Sequence, residues 1–201
     1  MSKAEKTKQF IIEKTAALFN TKGYTSTSLS DITNATGLTK GSIYGNFENR
    51  NEVAIEVYKH NVGMLRKNLA DVFNQESITP SEQLHAFVTF YKTSWPSVFR
   101  HGGCPMMNAA TESDDTFPAL KSQVKLSFEN WEKVLSDIIR TGQENHEFRQ
   151  EINPEEYASL FLMLIEGGIL LSKTTGNEKH LNLALDRVSE LIAKEIKQNP
   201  L

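Results

Sequence analysis

The stretch TSLSDITNATGLTKGSIYGNF, running from Thr27 to Phe47, decides how this chain folds. It reads as two short helices joined by a tight turn, the arrangement that lays a second helix in the major groove of DNA. Thr27 is placed to cap the first helix, whose apolar positions Leu29, Ile32 and Ala35 follow a helical period, and Gly37 supplies the left-handed residue that ends it. Thr39 is placed to cap a second helix from Lys40, with Ile43 and Phe47 facing inward and Ser42, Tyr44 and Asn46 nearer the exposed side. An ordinary helical hairpin with a glycine turn has the same spacing, so the residue types must discriminate. Lys40, Arg50 and the hydroxyls of Thr27, Ser28, Thr39, Ser42 and Tyr44 are all phosphate partners, and two helix N-termini add their dipoles to the same surface. The Asn46 amide is suited to adenine, Ser42 or Thr39 to a base edge or a thymine methyl, and Lys40 to either the backbone or guanine. Taken singly, each of these is also an ordinary surface or capping residue.

Length and composition set the outer limits. A chain of 201 residues, 39% of them hydrophobic, holds one substantial core or a small domain joined to a larger one. A lone cysteine, Cys104, excludes an internal disulfide framework. No continuous apolar run of about 18 residues is present, so no membrane span is expected. The first residues, MSKAEKTKQ, lack the apolar segment of a secretory signal, and a cytoplasmic location is expected. The net charge of −3 argues against a nucleic-acid partner until its distribution is considered. Residues 1–50 carry seven basic and four acidic side chains, a net +3, which leaves −6 on the remainder.

Helical periodicity extends over the whole chain, giving an all-α fold class. From Lys6 to Thr21 a helix presents Phe10, Leu18 and Phe19, completing a three-helix head whose core takes these with Leu29, Ile32, Leu38, Ile43 and Phe47. The expected domains are a head at 1–49 and a helical body at 50–201, with 50–73 as a connecting helix. In the body, Thr79-Pro80-Ser81-Glu82 and Asn153-Pro154-Glu155-Glu156 are N-cap, proline and capping-box signatures, and Pro96 is expected to end or bend its helix. Leu160, Leu164 and Gly167 on one helix and Leu181, Leu185, Val188 and Ile192 on the last form apolar surfaces that something must cover.

The residues Gly23-Tyr24, Thr27-Ser28, Asp31-Ile32, Gly37 to Tyr44, Phe47 and Asn49-Arg50 together resemble the head of the tetracycline-repressor-like (TetR) family of bacterial transcriptional regulators, over about Lys6 to Tyr58. The resemblance implies a ligand-responsive repressor acting as a homodimer on a near-palindromic double-stranded operator, with Tyr44, Lys40 and Arg50 on phosphates. It also implies that the last two helices pair with their copies, and that the connecting helix moves the head. The family's usual aromatic or histidine before the phenylalanine is Asn46 here, after Gly45, which leaves the operator sequence open.

An aromatic and methionine-rich set, Phe87, Tyr91, Trp95, Met106, Met107, Phe128 and Trp131, with Asn108 for polar orientation, suits an apolar or aromatic small molecule; the same residues at helical spacing also suit core packing. Cys104 permits oxidation as another input, against a buried, inert thiol. His60, His85, His101, His146 and His180 are scattered, so no metal site is expected, and no cofactor. No phosphate-binding loop, dinucleotide glycine signature or nucleophile elbow is present, and Asp114-Asp115 reads as a helix start, so an enzyme is not expected. A helical ligand-binding or protein-interaction module without specific DNA binding is the alternative.

Overall fold

The computed structural model describes residues 2–73 and 78–198, without the side chains of Val72, Trp95, Ser97 and Val98. Among them the chain forms α1 (Lys3–Lys22), α2 (Leu29–Thr36), α3 (Lys40–Tyr44), α4 (Arg50–Phe73), α5 (Pro80–Arg100), α6 (Pro105–Ser113), α7 (Pro118–Glu144), α8 (Pro154–Thr175) and α9 (Lys179–Leu191), which continues as a π-helical turn at Ile192–Ile196. The described residues contain no strand, only an isolated bridge between Phe148 and Lys197. The fold is all-α, as the periodicity requires. The helices form two compact units, one of Met1–Leu65 with Arg100–Ser127 and one of Arg66–Phe99 with Phe128–Leu201. The first compact unit therefore includes α6, which lies far from the helix-turn-helix in sequence.

In the first unit, α1 buries Ile11, Ile12, Thr15 and Phe19. Phe10, expected in this core, is 38% exposed. Adjacent residues lie about 100° apart around a helix, and the buried side of α1 is the one that carries Ile11, Thr15 and Phe19. Phe10 instead lies beneath the Lys14 ammonium, 5.9 Å from the ring centre. Ile32, Ile43 and Phe47 are buried as expected, while Leu18, Leu29 and Leu38 are half-buried and Ala35 is exposed. Tyr24 and Tyr58 complete this core, their rings edge to face at 5.8 Å. Burial pushes the Tyr24 phenol above its ordinary range, with the Asn61 amide donating to its oxygen at 3.0 Å.

In the second unit, the two proline caps form where their local sequence places them. Thr79 and Glu82 exchange backbone-to-side-chain bonds of 2.8 and 3.2 Å, and Asn153 accepts from the amides of Glu155 and Glu156. α5 does not end at Pro96: it runs on to Arg100 with the proline, which has no amide hydrogen to donate, inside the helix. α8 is long and apolar enough, by length and composition alone, to cross a membrane, although Glu166 interrupts it and no continuous apolar run of the expected length is present. Its apolarity has a local account. Ala158, Phe161, Ile165, Gly168 and Ile169 are buried on one side, and α9 packs alongside with Leu181, Leu185, Val188 and Ile192 buried. At the closest approach, a Cβ on Gly168 would stand 2.9 Å from the Ala184 Cβ and 3.0 Å from the Leu181 Cα.

Gly168→Ala should therefore force α8 and α9 apart and destabilise the protein by about 1–3 kcal/mol. Gly63, exposed within α4 with nothing within 4 Å of where a Cβ would stand, is the control. Gly63→Ala should be neutral or stabilising by up to about 1 kcal/mol. Urea denaturation of both variants checks the contrast, and equal stabilities would show that the helix pair has room to spare.

Candidate nucleic-acid interface

α2 and α3 are built by short-range bonds. Ser28, not Thr27, caps α2: its hydroxyl accepts from the Asp31 amide at 3.2 Å, and the Asp31 carboxylate accepts from the Ser28 amide at 2.8 Å. The cap falls one residue late because Thr27 turns inward. Its side chain is 1% exposed and its hydroxyl donates to the Gly23 carbonyl at 2.7 Å, closing the loop between α1 and α2. Gly37 ends α2 in the left-handed conformation, φ 71°. Thr39 then caps α3, accepting from the Ser42 amide at 3.2 Å. α3 lasts five residues and stops at Gly45, whose amide donates to the Gly41 carbonyl. Gly45 is thus the end of this helix.

The expected contact residues do not all face outward. Thr39, Lys40 and Tyr44 are exposed, Tyr44 by 49%, while Ser42 and Asn46 are half-buried. One N–H of the Asn46 amide donates to the Ser42 carbonyl at 2.9 Å, capping the C-terminal end of α3. Ser28 is exposed, but its hydroxyl donates to the Asp31 carboxylate at 2.7 Å. The Lys22 ammonium, followed by the Ser28 bonds, holds Asp31 well below the usual carboxylate range. The N-terminus of α2 therefore already carries an anion, and the expected dipole contribution to phosphate binding is not free there. Arg50 is half-buried. Its guanidinium donates to the carbonyls of Thr27 and Tyr24 and lies over the Phe19 ring, and desolvation lowers its pKa. Arg50 and Thr27 thus support the surface from beneath.

Sequence reasoning missed the polar cluster that α6 brings to this unit. Asn108, expected to orient a ligand, is 9% exposed and donates to the Asn20 backbone carbonyl at 3.1 Å, the Asn20 side-chain oxygen at 3.0 Å and the Gly102 carbonyl at 2.7 Å. Asn20 in turn donates to the carbonyls of His101 and Gly103 at 2.6 and 3.0 Å. Gly102 has φ 93°, and a Cβ there would meet the Asn20 carbonyl at 2.6 Å. The paired glycines were the one local signal of a close approach; its partner lies over eighty positions away. Cys104 is buried at 2% exposure.

The remaining effector set is divided between the units. Met106 and Met107 are buried on α6 in the first, whereas Phe87, Tyr91, Phe128 and Trp131 belong to the second. There Phe73, Phe87 and Tyr91 form a chain of rings 6.3 and 5.3 Å apart, with Trp131 at 5% exposure and Phe128 half-buried. The Trp95 side chain lies outside the described residues. Of the expected pairing residues, Leu181, Leu185, Val188 and Ile192 are buried inside the protomer against α8, so they offer no surface to a partner. Leu160 and Leu164 are half-buried and Gly167 is exposed. The apolar groups left outside on these two helices are Met163 at 63%, Leu170 at 46%, Leu171 at 50% and Leu183 at 70%.

Comparison with known proteins gives these features a common origin. Residues 11–57 match the family model described as bacterial regulatory proteins, tetR family. Residues 80–188 match that of the tetracyclin repressor-like C-terminal domain. A TetR-family transcriptional regulator from Cytophaga hutchinsonii superposes with a TM-score of 0.93 and 39% identity, covering 100% of this chain and 99% of its own. A TetR regulator from Chloroflexus aurantiacus gives 0.90 and 28%, covering 99% and 100%. The HTH-type transcriptional repressor DhaR of Mycobacterium sp. (strain GP1) is 25% identical over 186 residues, 92% of this chain and 91% of that protein. The chain belongs to the TetR family of bacterial transcriptional regulators.

Proposed function

We propose that this regulator is a dimeric repressor that holds a near-palindromic operator and releases it when a small apolar or aromatic molecule binds. The observation that carries the DNA-binding part is the two-sided build of α3 and its flank: Ile43 and Phe47 are anchored at 0% and 2% exposure while Thr39, Lys40 and Tyr44 face out. Thr39, Lys40 and Tyr44 serve phosphates, Ser28 being held by Asp31, and Ser42 and Asn46 lie nearest to base edges. Repression rather than activation is favoured by the repressor DhaR among the relatives. The reading makes the protein a binding protein rather than a catalyst, working in the cytoplasm where bacterial DNA lies.

Two heads require two copies. Met163, Gly167, Leu170 and Leu171 recur at helical spacing on the side of α8 away from α9, flanked by Leu160 and Leu164. We assign this face to a two-fold dimer contact, since an exposed apolar stripe of that length favours burial against its own copy. The effector site is assigned to the aromatic chain of Phe87 and Tyr91 with Phe128 and Trp131. A ligand there shifts the heads through α4 only insofar as it binds one arrangement more tightly than the other.

Selection of genomic fragments followed by footprinting should recover a site with two-fold symmetry. Lys40→Ala and Tyr44→Ala should weaken binding to every sequence, with Lys40→Ala, which removes one phosphate contact from each head, reducing the slope of log affinity against log salt by about 2 per dimer. Asn46→Ala should change the preferred base at one position of each half-site; a uniform loss would assign Asn46 to holding the end of α3. If no fragment is enriched at low or moderate salt, the protein is a helical ligand-binding or interaction module instead.

Leu170→Asp should convert the dimer to monomer in sedimentation and weaken operator binding by about a hundredfold through loss of the second half-site. Retention of the dimer would place the contact elsewhere.

A panel of aromatic metabolites titrated against the intrinsic tryptophan fluorescence should contain a compound that also lowers operator affinity, with Trp131→Ala raising the concentration needed by about tenfold or more. A compound that binds stoichiometrically and leaves operator affinity unchanged is not the effector.

A further inference from the structure

The loop between α1 and α2, Gly23 to Thr27, fixes where the helix-turn-helix sits on α1, and it is gripped from two directions. Arg50, at the start of α4, donates to the carbonyls of Tyr24 and Thr27. Glu112, near the end of α6, accepts from the Thr25 amide at 2.9 Å and the Thr25 hydroxyl at 3.0 Å. A Cβ at Gly23 would stand 2.7 Å from the Glu112 carboxylate, so the approach of that carboxylate depends on glycine. One turn earlier on α6, Asn108 bonds the last turn of α1 through the Asn20 carbonyl and side chain. Residues four apart share a helix face, so a single face of α6 holds both the end of α1 and the loop that follows it.

α6 is also the segment that joins α5 to α7, and both of those helices continue into the unit that carries the aromatic chain. We propose that Glu112, supported by Asn108, is a positioning residue through which α6 sets the placement of the helix-turn-helix, a second route beside the α4 connection. The proposal rests on the regulator reading above. Hydrogen bonds to a carboxylate lose most of their strength over a displacement of about an ångström. A small shift of α6 therefore releases Thr25 while Arg50 keeps its own two carbonyls, and the loop that leads into α2 is then held from one direction instead of two. By linkage, DNA that fixes α2 and α3 strengthens the Glu112 bonds in return.

The test is amide hydrogen exchange on the full-length free protein, followed by operator binding. In Glu112→Ala the Thr25 amide should exchange about tenfold faster or more, the α1 amides of Ile12 and Phe19 should keep their protection, and operator affinity should fall by about tenfold. Glu112→Gln, which retains an oxygen acceptor, should recover part of both losses. Thr25→Val, at an exposed position, removes only the hydroxyl bond and should give intermediate values even if Glu112→Ala does not fold. Unchanged Thr25 protection overturns the grip. Lost protection with unaltered operator affinity, or acceleration spread evenly through α1 and α4, overturns the positioning role. The exchange measurement needs no DNA, so failure to recover any operator counts against the regulator reading and leaves the grip to be decided by exchange.

Discussion

A helix of five residues has no stability of its own, because nucleating the first turn costs more than so few hydrogen bonds return. α3 exists because Ile43 and Phe47 hold its inner side in a core, Thr39 closes its beginning and the Asn46 amide closes its end. α2, of eight residues, is in nearly the same position and depends on the Ser28–Asp31 capping box and on buried Ile32. The outward face of α2 and α3 is therefore backed by the core to which α1 contributes Ile11, Ile12 and Phe19.

The charge of the head has the same double use. Of its seven basic residues, Lys8 pairs with Glu52, Lys22 pairs with Asp31 and Arg50 is drawn onto backbone carbonyls, so the net +3 overstates what faces outward. Exposed ion pairs such as Lys22–Asp31 add little stability, but this one sits across the junction of α1 and α2 and helps fix their angle. Lys40, exposed and with no ion pair among the described residues, is the cation that α3 presents to solvent.

In the second unit, packing divides an unusually apolar helix into a buried side and an exposed one. The side of α8 containing Gly168 lies so close to α9 that a methyl group does not fit, and this contact consumes the apolar stripe of α9. The opposite side keeps Met163, Leu170 and Leu171 in solvent. An apolar stripe signals that burial is required; which surface provides it is a separate question, and here each side of α8 has a different answer.

Features whose partners lie within a turn or two were legible in the sequence: the Thr39 cap, the left-handed Gly37, the Thr79–Glu82 and Asn153–Pro154 starts, and the anchors Ile43 and Phe47. Local geometry decides these, since a capping side chain reaches only the amides two or three residues ahead. It misplaced the α2 cap by one because Thr27 and Ser28 are both competent, and only the turn of Thr27 onto the Gly23 carbonyl separates them. It misjudged Phe10 for a similar reason, adjacent apolar residues leaving the buried phase of α1 ambiguous. The roles of Arg50, Asn108 and Glu112, and the burial of Leu181, Leu185, Val188 and Ile192 within the protomer, were decided by tertiary structure alone. Their partners sit on other elements, up to 88 positions away for Asn108, and residue spacing carries no information about which distant backbone groups a folded chain will bring within 3 Å.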